Sequence, residues 1–559
     1  MKVMLRFKHT LLILMWFTPA LMLSQEVPHH VSNESVYDFI DELANKGVIS
    51  VNSAIKPYSR KAIAHFLKKA NGHASLTRRQ QKEVSFYLKD FTKELTTGKA
   101  FDKRFDIFYY SDSLFQVTVN PILGGQFFNN GDETEYHRWG GAEFHGTIGK
   151  NVGIYGSLRD NHESYYLGHM PPTREKKGDQ YLSNRQGVVY KGDGRAKDYS
   201  ETRGGISVSW NWGNIGLHKD HIKWGNGYSE PVIQSGHAPS FGFISLQLKP
   251  VKWFEFNYYH GWLVSGVIDS SRTYGVYNGD RLVYANKFMA SNMFTIKPWK
   301  QLHVSFGNSI VYGDTDFNPV YLIPFLFYKS TDHTYNSWDN WVGHNAQMYF
   351  DISSRQIKNL HLYTSVFIDE IALSNLFNKD EQSNDLAIKI GSRATDLLPD
   401  LSITAEYTWI RPFAYRHFAP TIDYESNRFT MGHYLKDNAD ELYLALRYKP
   451  IRGLDILASF TALRKGKDYQ AIFNDGNFDD HPEINMDQDE IRRGLPFMNE
   501  VRYKNQNIRL KTSYQIINDG FIFAEYQHNS FSGPDKELYT NPYFLNGNQI
   551  LSVGMNFGF

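Results

Sequence analysis

The sequence contains no cysteine in 559 residues. Disulfides, thiolate metal sites and lipid attachment through an N-terminal cysteine are therefore excluded. Net charge is also nearly absent: 60 basic and 59 acidic residues leave +1, without the basic signature of a nucleic-acid binder. Beyond the first residues no stretch approaches 18 consecutive apolar positions, so the chain carries no candidate membrane-spanning helix there. Catalytic signatures are missing as well. There is no G-x-S-x-G, H-E-x-x-H, P-loop or G-x-G-x-x-G. His162, Glu163 and His169 in "NHESYYLGH" lack the spacing of a zinc helix and read as the start of a polar loop. Asp369 and Glu370 are adjacent on a strand end, so they point to opposite faces and make a poor acid pair. No cofactor, metal site or catalytic residue is expected.

Aromatic residues make up 15% of a chain whose mean hydropathy is polar, −0.47. Tyr (36) outnumbers Trp (11) about threefold, and both recur near the ends of alternating runs. A transmembrane β-barrel has this composition, because each strand shows only alternate residues to lipid while aromatic girdles mark the interfaces. The N-terminus fits export. "MKVMLRFKHTLLILMWFTPALMLSQ" has Lys2, Arg6 and Lys8 before an apolar run from Leu11 to Leu23, the pattern of a secretory signal, assigned to residues 1–24. The run is too short for a comfortable membrane span.

Residues 25–100 read as a small helical domain. Val36, Phe39, Ile40 and Leu43 form one apolar stripe, with Gly47 at the C-cap. Ser59 caps a second helix burying Ile63, Phe66 and Leu67. Thr77 caps a third with Val84, Tyr87, Leu88, Phe91 and Leu95 on one face.

From about residue 101 to 559 the period changes to 2. Tight turns, three of them built on Lys-Pro at Lys249, Lys297 and Lys449, alternate with long polar segments. About eighteen strands result: 115–128, 137–149, 151–162, 202–212, 214–226, 241–249, 252–266, 286–297, 300–312, 344–353, 359–370, 385–395, 400–410, 440–449, 453–464, 500–513, 519–530 and 549–559. An even count with tight turns at alternate junctions places the long loops at one end and the helical domain at the other, as in outer-membrane barrels. A closed sheet also avoids unpaired backbone groups in hydrocarbon. The chain ends on "ILSVGMNFGF", with Leu551, Val553, Met555, Phe557 and Phe559 facing lipid and Ser552, Gly554, Asn556 and Gly558 facing the lumen. Met555, Phe557 and the terminal Phe559 resemble the signal read by the outer-membrane insertion machinery.

Three loops invite a binding reading. Loop 163–201 carries Arg174, Lys176, Lys177, Arg185, Lys191, Arg195 and Lys197, which suit the carboxylates of an acidic polysaccharide. Glu175, Asp179, Asp193 and Asp198 also allow an ordinary solvated loop. Loop 313–343 is aromatic, with Tyr321, Phe325, Phe327, Tyr328, Tyr335, Trp338 and Trp341. It suits sugar C–H faces, an inward hydrophobic plug, or the upper girdle. Loop 465–499 is acidic (Asp475, Asp479, Asp480, Glu483, Asp487, Asp489, Glu490) but lacks EF-hand spacing, and reads as solvated rather than as a Ca²⁺ site.

The stretch "KWGNGYSEPVIQSGHAPSFGFISLQLKP" resembles the central motif of the Wzi family of outer-membrane capsule-assembly proteins. The matching positions are Trp224, Gly225, Gly227, Ser235, Ala238, Pro239, Ser240, Phe241, Ile244 and Leu246. "NPVYLIPFLFYKS", "SWDNWVGHNAQMYFD" and the helical start look similar too, in the right order. The resemblance implies an eighteen-stranded barrel that binds extracellular polysaccharide and anchors capsule at the surface of a Gram-negative cell, with loops extracellular and helices periplasmic. It assigns no ligand residues. Arg174, Lys176, Lys177, Arg185, Tyr321, Phe325, Trp338 and Trp341 remain the binding candidates. The expected partners are polysaccharide, outer-membrane lipid and the insertion machinery. A solute pore and a surface hydrolase are the alternatives.

Overall fold

The computed structural model describes residues 26–95, 104–164, 167, 181–190, 197–336, 343–371, 384–475 and 494–558. Three helices lead: α1 (Glu34–Asn45), α2 (Arg60–Ala70) and α3 (Arg78–Phe91). Ser59 Oγ accepts from Ala62 N, and Thr77 with Gln80 closes a capping box. Past α1, Val48 N donates to Leu43 O and Gly47 N to Ala44 O, a Schellman end. Phe39, Ile40, Leu43, Ile63, Leu67, Val84, Tyr87 and Phe91 bury each other between the helices.

The remainder is a closed antiparallel barrel of eighteen strands. Two short strands, β1 (Ile55–Lys56) and β2 (Phe108–Ser111), precede it. The first wall strands are β3 (Phe115–Asn129), β4 (Thr134–Ile148), β5 (Val152–Glu163), β6 (Lys197–Trp210) and β7 (Gly213–Asp220). Inside the lumen lies β8 (Lys223–Trp224). The wall resumes with β9 (Phe241–Val251) and β10 (Phe254–Ile268). A projecting hairpin, β11 (Tyr274–Val276) and β12 (Gly279–Arg281), leads to β13 (Tyr284–Trp299) and β14 (Leu302–Gly313). Then come β15 (Asn345–Ser354), β16 (Leu360–Glu370), β17 (Asp385–Thr395) and β18 (Leu401–Ile410). A small hairpin of β19 (Glu425–Ser426) and β20 (Phe429–Thr430) precedes β21 (Ala439–Tyr448), β22 (Leu454–Lys465), β23 (Tyr503–Ile517), β24 (Gly520–Ser532) and β25 (Gln549–Phe557).

The final strand closes the ring, pairing from Leu551↔Asn129 to Phe557↔Leu123. Below it β2 continues the seam, from Phe108↔Val119 to Ser111↔Gln116. Leu551, Val553 and Met555 are exposed on the outer face, whereas Ser552 is buried inward. Phe557 is the last residue of β25, and Phe559 lies outside the described residues.

One expected strand is shorter than the alternation suggested. The wall strand over 214–226 ends at Asp220. Ile222 and Trp224 continue the period of 2, but they turn into the lumen, where Trp224 pairs with Ile55 of β1 and bridges to Gln234. Extended backbone alternates on a plug as it does on a wall, so periodicity alone could not separate the two.

The helices sit against the tight turns. Lys297 Nζ donates to Ser50 Oγ (2.9 Å), and Gln301 Nε2 to Ile49 O (2.8 Å). Asn359 N donates to Asn45 O (2.7 Å), Arg79 Nε to Asp400 (2.8 Å) and Gly453 N to Glu83 (3.2 Å). Asp38 of α1 faces Arg393, Arg447 and Lys449 from the barrel interior. Burial opposes its charge, but these three cations outweigh it and hold the carboxyl well below the usual range. Asp90 is held low in the same way, by Arg104, Arg60 and Lys93 against burial.

Candidate functional site at the loop end

Two segments, 221–240 and 411–438, fold into the lumen. Trp224, Val232, Ile233, Tyr415, Tyr424, Met431 and Leu435 are buried there against inward residues of the wall, including Tyr259, Met293, Tyr349 and Phe367. The W-G-N-G stretch is the hinge. Gly225 has φ +97°, a conformation that suits a residue without Cβ. Its N–H donates to Ala54 O at 2.8 Å. Asn226 then meets Asp351 through its backbone N (2.9 Å) and Nδ2 (2.6 Å). The N–H groups of Tyr228 and Ser229 both donate to Glu406, at 2.6 and 2.9 Å, and Lys389 Nζ completes that site at 3.3 Å. Buried carboxylates are thus paired with backbone donors and a cation, as burial requires. Farther along, Tyr415 and Tyr424 donate to Val232 O and Ile233 O, and Ser235 Oγ donates to Gly432 O (2.6 Å). Ala238 and Phe241 are buried in the same cluster, while Ser240 accepts from Lys219 (2.6 Å). Gly227 and Pro239 fall within the same inward segment. The motif positions up to Ser240 therefore build the plug and its exit, and Phe241, Ile244 and Leu246 continue into wall strand β9. Luminal cavities where the helices, plug and wall meet measure about 110 Å³ each.

Residues 181–190 lie over this plug. Leu182 N donates to Tyr539 O (2.9 Å), and Gly187 N to His237 O (2.7 Å). A Cβ at Gly187 would stand 2.4 Å from the Phe429 ring, so the loop passes where only glycine fits. Next to it Glu163, fully buried at the end of β5, accepts from Arg185 Nη2 (2.6 Å), Tyr190 OH (2.9 Å) and Tyr199 OH (3.2 Å). The Arg185 side chain remains 46% exposed. It presents a guanidinium held in place by a carboxylate beneath, with two tyrosines alongside. That arrangement can grip hydroxyls or a carboxylate of a passing sugar.

The β11–β12 hairpin is a second exposed feature of this end, and the sequence reading did not single it out. Tyr277 at its tip is fully exposed, and Tyr274 and Val276 are 59% and 50% exposed. Asp269 anchors its base through Ser271 and Arg272, bonds that hold its carboxyl down to about 2. A two-residue turn, Tyr277-Asn278, between Val276 and Gly279 was the available signal.

The other candidates fall elsewhere. Tyr321 is buried and Phe325 is 56% exposed, both on the outer wall of the barrel rather than around its mouth. Arg174, Lys176, Lys177, His169, Trp338 and Trp341, and the acidic residues 479–490, lie outside the described residues. His162 pairs with Asp198 at 2.6 Å. Among the described residues two groups bring three metal-ligand types within 4.8 Å of one another, His30–Glu201–His221 and Glu42–Asp396–Asp400. Both are engaged internally: His221 binds Glu201 at 2.8 Å, and Arg79 and Lys46 neutralise the acidic trio.

No family model and no curated protein matches the sequence. Solved structures do. The chain is similar to Escherichia coli Wzi, described as an outer-membrane protein involved in group 1 capsule assembly and a carbohydrate-binding β-barrel. The two share 11% identity with a TM-score of 0.57, over 96% of this chain and 100% of that one. Weaker likenesses are to Pseudomonas aeruginosa OprD (TM-score 0.39, 10% identity, 79% of this chain and 94% of that one) and Acinetobacter baumannii OccAB2 (0.42, 8%, 79% and 97%). The fold is thus an eighteen-stranded barrel of outer-membrane type. In particular it is a Wzi-like barrel, the resemblance that the motif around Trp224 had suggested.

Proposed function

We propose that this protein is a non-enzymatic outer-membrane barrel that binds extracellular or capsular polysaccharide and anchors it at the cell surface. One observation carries the reading: the lumen is occupied by segments 221–240 and 411–438, the first held to the wall by hydrogen bonds from Asn226, Tyr228 and Ser229 to the buried carboxylates of Asp351 and Glu406. A barrel filled this way has its chemistry to offer at its rim, where Arg185 and Tyr277 are exposed. The fold likeness to a carbohydrate-binding barrel supports the same reading. In this reading residues 1–24 are a signal peptide, the helices face the periplasm, the loops face outward, and barrel assembly uses the C-terminal Phe559. Each loop contact is weak. A repeating polymer engages many barrels at once, and avidity rises by a factor of about 10²–10⁴ without new contacts.

The test is deletion of the gene with measurement of cell-bound, released and total polysaccharide. Anchoring gives a fall in the bound fraction, a matching rise in the medium and an unchanged total. Parallel loss of bound and total material would instead assign the protein to synthesis or export.

A further inference from the structure

The segment "FNPVYLIPFLFYKS" takes a path that none of the readings above supplies. After β14 the chain turns back and descends the outside of the barrel. Residues 318–328 cover outward-facing side chains of β10, β13 and β14: Phe256, Tyr258, Phe288, Ile310 and Tyr312 are buried with Tyr321 and Tyr328. Phe325 reaches Phe256, third residue of β10 counted from the tight-turn end, with ring centroids 4.5 Å apart. The segment therefore extends past mid-height.

Beneath it the wall breaks the barrel's own rule. Asn292 and Asn308 face outward at mid-strand, directly opposed in register. Asn292 is the ninth of sixteen residues in β13. Their row continues through Met348, Ile368 and Leu386, apolar as a lipid belt requires. Two unpaired amides in hydrocarbon would each cost several kcal/mol. Here they are bonded to the segment. Asn292 Nδ2 donates to Pro324 O and Leu326 O, both at 3.0 Å. Asn308 Nδ2 donates to Asn292 Oδ1 (2.8 Å), and Tyr328 N donates to Asn308 Oδ1 (2.8 Å). Tyr258 OH donates to Tyr321 O (2.9 Å). Pro319 and Pro324 have no N–H to satisfy, and the Val320 N–H is taken by Asn318 Oδ1. Toward the outside the segment shows Leu322, Ile323, Phe325 and Phe327, between 37% and 56% exposed.

We infer that residues 318–328 form a re-entrant strap lying among the acyl chains of the bilayer against the outer wall, anchored by the Asn292–Asn308 pair. The occupant of its outer face is lipid. The strap lies at the depth of the belt, continues that belt's apolar surface, and is packed against the wall with the carbonyls of Tyr321, Pro324 and Leu326 bonded to it, and irregular backbone at membrane depth is tolerated where it is buried against protein. The inference rests on the barrel's being in a membrane and is independent of what its loops bind.

The absence of native cysteine makes the test direct. A spin label at Ile323→Cys, in full-length protein reconstituted into phosphatidylethanolamine–phosphatidylglycerol vesicles, is exposed to oxygen and to a water-soluble nickel chelate. Leu444→Cys on the outer wall and Tyr277→Cys on the hairpin serve as lipid and water references. Oxygen access with nickel exclusion, as at 444, is expected. Nickel access as at 277 would put the strap in water and overturn the inference. Exclusion of both reagents would mean a protein partner covers it, and would overturn it equally. Adding Asn308→Ala should loosen the strap and sharpen the label's spectrum. Should that variant not assemble, Tyr258→Phe removes a single anchoring hydroxyl and reads the same effect. An unchanged spectrum in both would remove the proposed anchor.

Discussion

Trp224 shows how one side chain commits a stretch of chain to the lumen. It is 4% exposed, lies edge-on to Tyr259 at 5.2 Å and precedes the left-handed Gly225. Trp224→Ala opens a cavity in a packed plug and is expected to cost about 3–5 kcal/mol. Loss of the heat-resistant folded band on gels at a lower temperature than wild type checks this. Tyr277 is the opposite case, a large ring with no packing role. Tyr277→Ala should leave that folded band unmoved and weaken polysaccharide retention several-fold; unaltered retention would remove the hairpin from the binding surface. Of the charged candidates, Arg185 alone among the described residues has a defined setting, and its partner Glu163 was in view in the sequence only as part of a rejected zinc pattern. Pairing across a loop of some twenty residues leaves no local trace in sequence, because it depends on where the loop lands.

Among the elements, helices and wall strands were legible, since period 3.6 with Ser59 and Thr77 caps and period 2 are local properties, while Lys249-Pro250 and Lys297-Pro298, read as turns, end strands β9 and β13 just before the turns. The plug and the strap were not. Residues 221–226 continue the alternation of a wall strand, and 313–343 is apolar enough to suit sugar, lumen or girdle. The structure gave residues 318–328 a fourth place, outside the wall. Asn292 and Asn308 at lipid-facing positions were the readable sign, visible only once strand faces are assigned. The docking of α1 to α3 carries a pH dependence. Asp38 and Asp90 have depressed folded-state values, so their contribution is complete above the ordinary aspartate value of about 4 and is lost as pH falls through the lower folded value. Protease cutting within residues 26–95 should rise well below pH 4 while the barrel stays intact. Asp38→Asn should weaken docking at neutral pH and flatten that acid response. A steeper response in the variant would contradict the assignment.

The described structure is a ring of strands closed by its last strand, Gln549–Phe557, against its first wall strand. Helices are fixed to its tight-turn end and a plug sits within it. In planar bilayers it should show no steady conductance of porin size, and removal of 224–236 should raise conductance if the barrel survives. On the reading proposed above, what the molecule does is decided at the rim. Purified protein in lipid vesicles, titrated with polysaccharide from its own cell surface and followed by co-sedimentation with chain-length analysis, gives the answer. Saturable binding with chain length unchanged is the expected result. Absence of binding, or shortening of the polymer, would contradict the reading of this barrel as a non-enzymatic polysaccharide anchor.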